Sequence, residues 1–291
     1  MNQKSILFLF VAVLLFNCSS VNKNINKGSV SKKEFYSKIN FTTLKTIMLI
    51  PVELNGVRKN FLFDTGADLT IIHRDNIAGK TFKGSGATGE ESQFGSEIIK
   101  SFKIGDLDFI NTYAGNKNMA YLNKQIPEFG GLIGEPIISK ANWLIDYPNK
   151  TLEISNNNIS DDSFLAFKTI KQNGSTFTFL KLNGKEYKVK LDFGSSSSFT
   201  VPEKSKLAKE LLKNLDFENR KRERYTISGG LQTITEKVGK IPNVQIGQMD
   251  FTNVETKINV SGQARIGIDF FKNCQIYIDN SKGNIGLKQV K

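Results

Sequence analysis

Apolar and polar residues alternate with a period of two along most of the chain after residue 41. The run TIMLIPVEL passes through Asn55-Gly56 into VRKNFLFD, and FTFLKL passes through Asn183-Gly184 into KEYKVKLD. Alternation places every second side chain on one face of a strand. Asn-Gly supplies the two left-handed residues of a tight turn, so both stretches are predicted hairpins. Each ends on an aspartate, Asp64 or Asp192, eight residues after the glycine of its turn.

The pattern recurs further on. FKIGDLDFIN from Phe102 matches VQIGQMDFTN from Val244, and LIGEPIISKANWLID matches RIGIDFFKNCQIYID. In the last pair the interval from glycine to aspartate, Gly134 to Asp146 and Gly267 to Asp279, is twelve in both copies. Three matches in one order at equal internal spacings imply a duplicated unit. The copies are offset by 128, 142 and 133 residues, so insertions fall between the anchors. The largest lies at 202–224, where Leu207, Leu211, Leu212 and Leu215 have helical spacing and predict an amphipathic helix with a solvated basic face.

Composition adds bounds. The 291 residues carry 39% hydrophobic and 23% charged side chains, as a folded protein of ordinary core size does. The net charge of +12 favours anionic partners, but no basic-aromatic motif accompanies it and no nucleic-acid partner is expected. Lys4 precedes a stretch, Ser5 to Phe16, that is apolar after its first residue. It is too short to span a bilayer and has the length of a signal peptide's apolar region, which predicts a signal at 1–17. Leu15-Phe16-Asn17-Cys18 resembles the lipobox of bacterial lipoproteins, and implies a lipidated Cys18; a plain secretory signal is the other reading. The polar stretch at 18–40 is expected to be a flexible tether.

The candidate chemistry narrows quickly. One histidine, His73, excludes multi-histidine metal sites and argues against Ser-His or Cys-His catalysis. It follows LTII and is read as a strand-end residue; Cys274, in an alternating run, is read as a small buried hydrophobe. Carboxylates remain. An aspartate closing the apolar run FLFD is costly to bury unless something offsets it. Asp68, Asp146, Asp161, Asp162 and Asp279 have turn-like neighbours and are expected to be exposed or capping, and Trp143 to be core.

Asp64-Thr65-Gly66-Ala67 resembles the active-site motif of the retropepsin-like aspartic proteases, with Leu132-Ile133-Gly134 as the apolar-apolar-Gly element beneath it. Asp192-Phe193-Gly194-Ser195 and Arg265-Ile266-Gly267 repeat both elements in the second half. The resemblance covers about residues 45–290. It implies an all-β, bilobal acid-protease (pepsin/retropepsin-like) fold built from two duplicated β-barrel-like lobes, 41–158 and 159–291, the second with a helical insertion.

It further implies an aspartic-type endopeptidase in which Asp64 and Asp192 activate water, with no metal or cofactor. Thr65, Gly66, Ala67, Gly194 and Ser195 would support the active loops, Thr65 by anchoring one to the other and Ser195 by bonding its neighbouring carboxylate. Gly84, Ser85, Gly86, Ala87, Thr88 and Gly89 stand where the family has its flap, and Ile227 to Gly230 stand at the matching place in the second half. As a phosphate cradle, GSGATGE lacks the Lys-Ser/Thr of a P-loop.

Phe193 departs from the family's Thr or Ser, removing one expected hydroxyl and placing an aromatic where it would crowd the interface. Two readings stay open: a working dyad, or a catalytically degenerate peptide- or partner-binding envelope lipoprotein. The expected partners are a peptide or unfolded protein, and a membrane reached through the N-terminal lipid. The expected form is a monomer with an intramolecular pseudo-dimer, exported to the cell envelope and facing the periplasm.

Overall fold

The computed structural model describes residues 24–86, 90–172, 174–226, 230–259 and 262–290. The signal segment and Cys18 lie outside them. The chain is mostly β, as the alternation predicts, with a large sheet from each half and a six-stranded sheet to which both contribute.

The two predicted hairpins are present. Ile47–Leu54 pairs with Val57–Phe63 around Asn55 and Gly56, whose φ values are 48° and 86°; Ser175–Leu182 pairs with Lys185–Asp192 around Asn183 and Gly184, at 49° and 79°. Both turn residues are left-handed, the conformation that Asn-Gly adopts at least cost.

The duplication extends to topology. Val57–Phe63 runs parallel to Phe129–Ile133, which pairs antiparallel with Ile71–His73, itself parallel to Leu107–Lys117. Lys185–Asp192 likewise runs parallel to Arg265–Gly267, which pairs antiparallel with Phe199–Pro202, itself parallel to Met249–Asn259. Each aspartate thus sits at the end of a strand sandwiched between neighbours, the place where a short loop can be held rigidly.

The six-stranded sheet joins the halves through Asn142–Asp146 and Cys274–Asp279. Trp143 faces Ile278, Leu144 faces Tyr277 and Ile145 faces Ile276. These positions are equivalent at the 133-residue offset, and their partners are exchanged, so a local two-fold axis passes through the Leu144–Tyr277 pair. Trp143 is fully buried, edge-on to Phe63 at 5.3 Å and stacked on Phe109 at 6.1 Å. One contiguous apolar core runs through both halves, and a smaller cluster forms around Leu62, Phe94 and Leu132.

Two expectations about extent are corrected. The tether does not reach residue 40: Ser29–Val30 pairs with Ile110 and Phe109, and Tyr36–Asn40 forms an edge of the six-stranded sheet beside Thr151–Ser155. Ser37 is buried and Ile39 packs on the core, an inward face too sparse to read in a lysine-rich stretch. The inserted helix is Lys206–Asn214, capped by the Ser205 hydroxyl accepting from Ala208 N–H at 3.1 Å. The charged run after it is a strand, Phe217–Thr226. Cys274 is a buried strand residue, and Asp279, buried, holds its turn by accepting from Lys282 N–H at 3.0 Å.

Candidate active site

The apolar strand Val57–Phe63 ends with Phe61 and Phe63 fully buried, which fixes the start of the loop that follows. Asp64 N–H donates to Ile133 O at 3.0 Å, and Gly66 N–H donates to the Asp64 carboxyl at 2.8 Å. In the second half Ser195 N–H donates to Asp192 O at 3.0 Å, closing an equivalent turn. The two loops face one another. A Cβ placed on Gly194 would lie 2.5 Å from Asp64 Oδ2, and one on Gly66 would lie 3.0 Å from Asp192 Cγ and 3.1 Å from Asp64 Oδ1. Gly194 has no room for a side chain because the Asp64 carboxyl fills it, and a side chain at Gly66 would require the Asp192 carboxyl to give way by a few tenths of an ångström.

The supporting residues obey the same symmetry. Ala67 O accepts from Glu135 N–H at 3.0 Å, and Ser195 O accepts from Ile268 N–H at 3.2 Å. Gly134 N–H donates to the Thr70 hydroxyl at 3.1 Å, and Gly267 N–H to Ser198 O at 2.9 Å. The apolar-apolar-Gly segments therefore lie directly beneath the two loops. The expected role of Ser195 is corrected: its hydroxyl accepts from Ser197 N–H at 3.3 Å instead of bonding Asp192.

Thr65 is buried and its hydroxyl serves both directions, donating to Leu191 O at 3.2 Å and accepting from Phe193 N–H at 3.1 Å. Phe193 does not crowd this contact. Its ring turns away, fully buried and edge-on to Phe271 at 5.8 Å. The return link from the second half comes instead from Lys190, whose Nζ donates to Gly66 O at 2.7 Å. Thr65→Val is expected to lower stability by about 1–3 kcal/mol, the cost of stranding two buried backbone groups. Urea denaturation checks this, with Thr65→Ser recovering most of the loss.

The electrostatics are unequal. Burial first, and then the neighbouring Asp192 carboxylate, push the Asp64 carboxyl up to about 7; N–H donation from Gly66 and Gly194 and the Lys190 charge pull the other way. Asp192 pairs with Arg265, Nη1 to Oδ2 at 3.1 Å, both side chains largely enclosed. Two adjacent carboxyls, one facing a cation and one largely desolvated, can hold one proton between them.

Lys190 and Arg265 were not predicted as site residues, yet a comparison of the halves carries their signal. They are register partners, and at the equivalent positions of the first half the partners are Leu62 and Leu132. The duplication departs from itself just where two charges enter the site.

Each half also carries a hairpin at the place expected for a flap. Phe82–Ser85 pairs with the start of Glu91–Ile104, and Gly86 N–H donates to Glu90 O at 3.2 Å. Gly84 and Ser85 are thus in its first arm; Ala87, Thr88 and Gly89 lie outside the described residues. In the second half, Phe217–Thr226 pairs with Gly230–Ile246 and crosses toward the first half. Tyr121 Oη donates to Thr226 O at 2.7 Å, the Tyr121 and Tyr225 rings stack at 6.2 Å, and Gln232 Nε2 donates to Glu90 Oε1 at 2.6 Å. These contacts join segments more than a hundred residues apart, which local patterning does not register.

No protein-family model matches the chain, and a search of curated proteins returned no match. The functional reading therefore stands on the residues and their geometry.

Proposed function

We propose that this chain is an aspartic-type endopeptidase with a bilobal acid-protease architecture, in which Asp64 and Asp192 act as one dyad. The observation that carries the reading is the mutual cradle of the loops, each glycine lying directly against the other half's carboxyl. In the proposed cycle a water oxygen attacks the peptide carbonyl carbon. Asp192, paired with Arg265, takes a proton from that water, and Asp64 gives its proton to the carbonyl oxygen. Collapse of the tetrahedral species returns a proton to Asp64, delivers the proton held on Asp192 to the leaving nitrogen, and breaks the C–N bond. In this reading the two hairpins would close over the substrate and exclude bulk water from the charge-bearing intermediate.

The Ser5–Phe16 stretch and Cys18 support an exported, lipid-anchored setting for this activity. The test is hydrolysis of an unfolded protein by the wild type and by Asp64→Asn and Asp192→Asn. Cleavage lost in both variants supports the dyad.

One observation favours a second reading, a peptide- or partner-binding protein that does not cut. The Arg265 guanidinium occupies Asp192 Oδ2 and leaves that carboxyl a single oxygen with which to meet a water. Absence of cleavage by the wild type from about pH 4 to about pH 8, the range over which such a dyad works, would select it.

A further inference from the structure

Across the two-fold axis the walls beside the dyad differ in chemistry. Next to the Asp64 loop, Leu62 and Leu132 pack with Phe94, and the Phe82 ring stacks on Phe94 at 5.6 Å. The second half replaces each of these pairs by charge. Leu62 and Leu132 become Lys190 and Arg265. At the 142-residue offset Phe94 becomes Glu236, and where Phe94 has Phe82 as its register partner, Glu236 has Arg220.

The ionic wall is not balanced. Glu236 is buried and its Oε1 accepts from Arg222 Nε at 2.6 Å and from Arg220 Nη2 at 3.2 Å. Arg265 holds Asp192. Arg224, on the same inward face of Phe217–Thr226, has no carboxylate partner among the described residues. Its Nε donates to the neutral amide of Gln232 at 3.2 Å. The charges that act on it are Arg222 and Arg265 on one side of the balance, and Glu236 and Glu90 on the other; Glu236 turns its Oε1 to two other arginines, and its buried Oε2 makes no hydrogen bond to Arg224. Arg224 faces Gln232 across the hairpin, and Gln232 in turn donates to Glu90 beside the first-half hairpin, so Arg224 lies on the side of its hairpin that reaches the first half. Burial lowers the Arg224 pKa, as expected of a guanidinium whose lost hydration no anion replaces.

We propose that Arg224 receives a substrate carboxylate, so that the cleft takes a peptide with an apolar side chain toward the first half and an acidic group toward the second. This deepens the proteolytic reading and rests on it. The ligand is a carboxylate on a peptide, from an internal Asp or Glu or from a chain end. A half-buried guanidinium can meet it with two parallel N–H donors, whereas a lysine or neutral residue of the substrate would add unpaired charge or leave Arg224 unsatisfied.

The test uses internally quenched peptides with a fixed Phe-Leu centre and Glu or Gln scanned along both flanks, each made with a free and with an amidated C-terminus. The wild type is expected to cleave the Glu peptide at least about tenfold better than its Gln counterpart at one flank only, the scale of a desolvated charge pair. Arg224→Gln should bring the ratio near one, Arg224→Lys should keep part of it through charge alone, and Arg224→Glu should turn the preference toward a Lys peptide. A preference confined to free-acid peptides supports the inference with the chain end as the source. A ratio near one at every position in the wild type, or one unchanged in Arg224→Gln, overturns it.

Anisotropy titration of the same peptides, labelled, against Asp64→Asn separates the two proposals. An Arg224-dependent preference for Glu in binding, with no cleavage by the wild type, would retain the acid site and remove the protease. Cleavage without that preference would do the reverse.

Discussion

Asp64→Asn and Asp192→Asn are each expected to lower kcat for peptide hydrolysis by about a thousandfold or more, the scale of losing a positioned acid or base. KM should change little, because neither substitution alters the walls of the cleft. In the proposed dyad the two carboxyls act on one water as a unit, so the double variant should be barely slower than either single one. That non-additivity is the sharper readout. Two independent electrostatic contributions would multiply, whereas a shared proton can be lost only once. Steady-state kinetics on a single quenched peptide measures all three ratios. Loss in the first variant alone would point to a site in which the second half does not supply an acid.

Activity should also fall about tenfold per pH unit above about 7, as the proton on Asp64 is released. The same group gives stability a distinctive pH dependence. Its ordinary value is 3.8, and the folded value is raised to about 7, by burial and then by Asp192. Between those values the folded chain keeps a proton that the unfolded chain has released. Stability from this group therefore declines as pH rises from about 4 to about 7, and levels off above, by an amount on the order of a few kcal/mol. Most paired carboxylates do the opposite and stabilise as pH rises. Asp64→Asn should remove this component, so that the variant outlasts the wild type in urea at pH near 8 and the gap closes near pH 4. The groups facing Asp64 are Asp192, Lys190 and the N–H of Gly66 and Gly194. An identical pH dependence of the denaturation midpoint in both proteins would show that Asp64 carries no raised pKa.

What could be read from the chain follows from range. Asn55-Gly56 and Asn183-Gly184 fix their turns through two adjacent residues, so both hairpins were visible, and the aspartates at their ends with them. The duplicated phrases exposed the topology because each is a contiguous unit. Tyr36–Asn40 was missed as a strand because an edge needs only one inward row, and here that row is Ser37 and Ile39 among polar neighbours. Phe217–Thr226 was hidden for a related reason: its half-buried positions Arg222 and Arg224 are charged, so no apolar alternation appears. Phe193 misled in the other direction. Residue type suggested crowding, but the turn of the loop sends the ring into the core and leaves only its N–H at the interface. Arg265 lies 73 residues from Asp192, and their ion pair exists only once the parallel pairing of their strands has formed.

The central pairing of Asn142–Asp146 with Cys274–Asp279 has a consequence for assembly. Each strand has a strand of its own half on one side, Thr151–Ser155 or Asn284–Gln289, and the other half on its remaining side, so neither half has a finished edge when alone. A symmetric dimer would have to find that partner by diffusion, and its population would fall on dilution. Here both edges belong to one polypeptide, which sets their local concentration near the millimolar scale whatever the amount of protein present. Asp64 and Asp192 therefore meet as readily in a single isolated molecule as in a crowded solution, and because the two copies are no longer identical, their surroundings have been free to diverge into one greasy wall and one cationic wall.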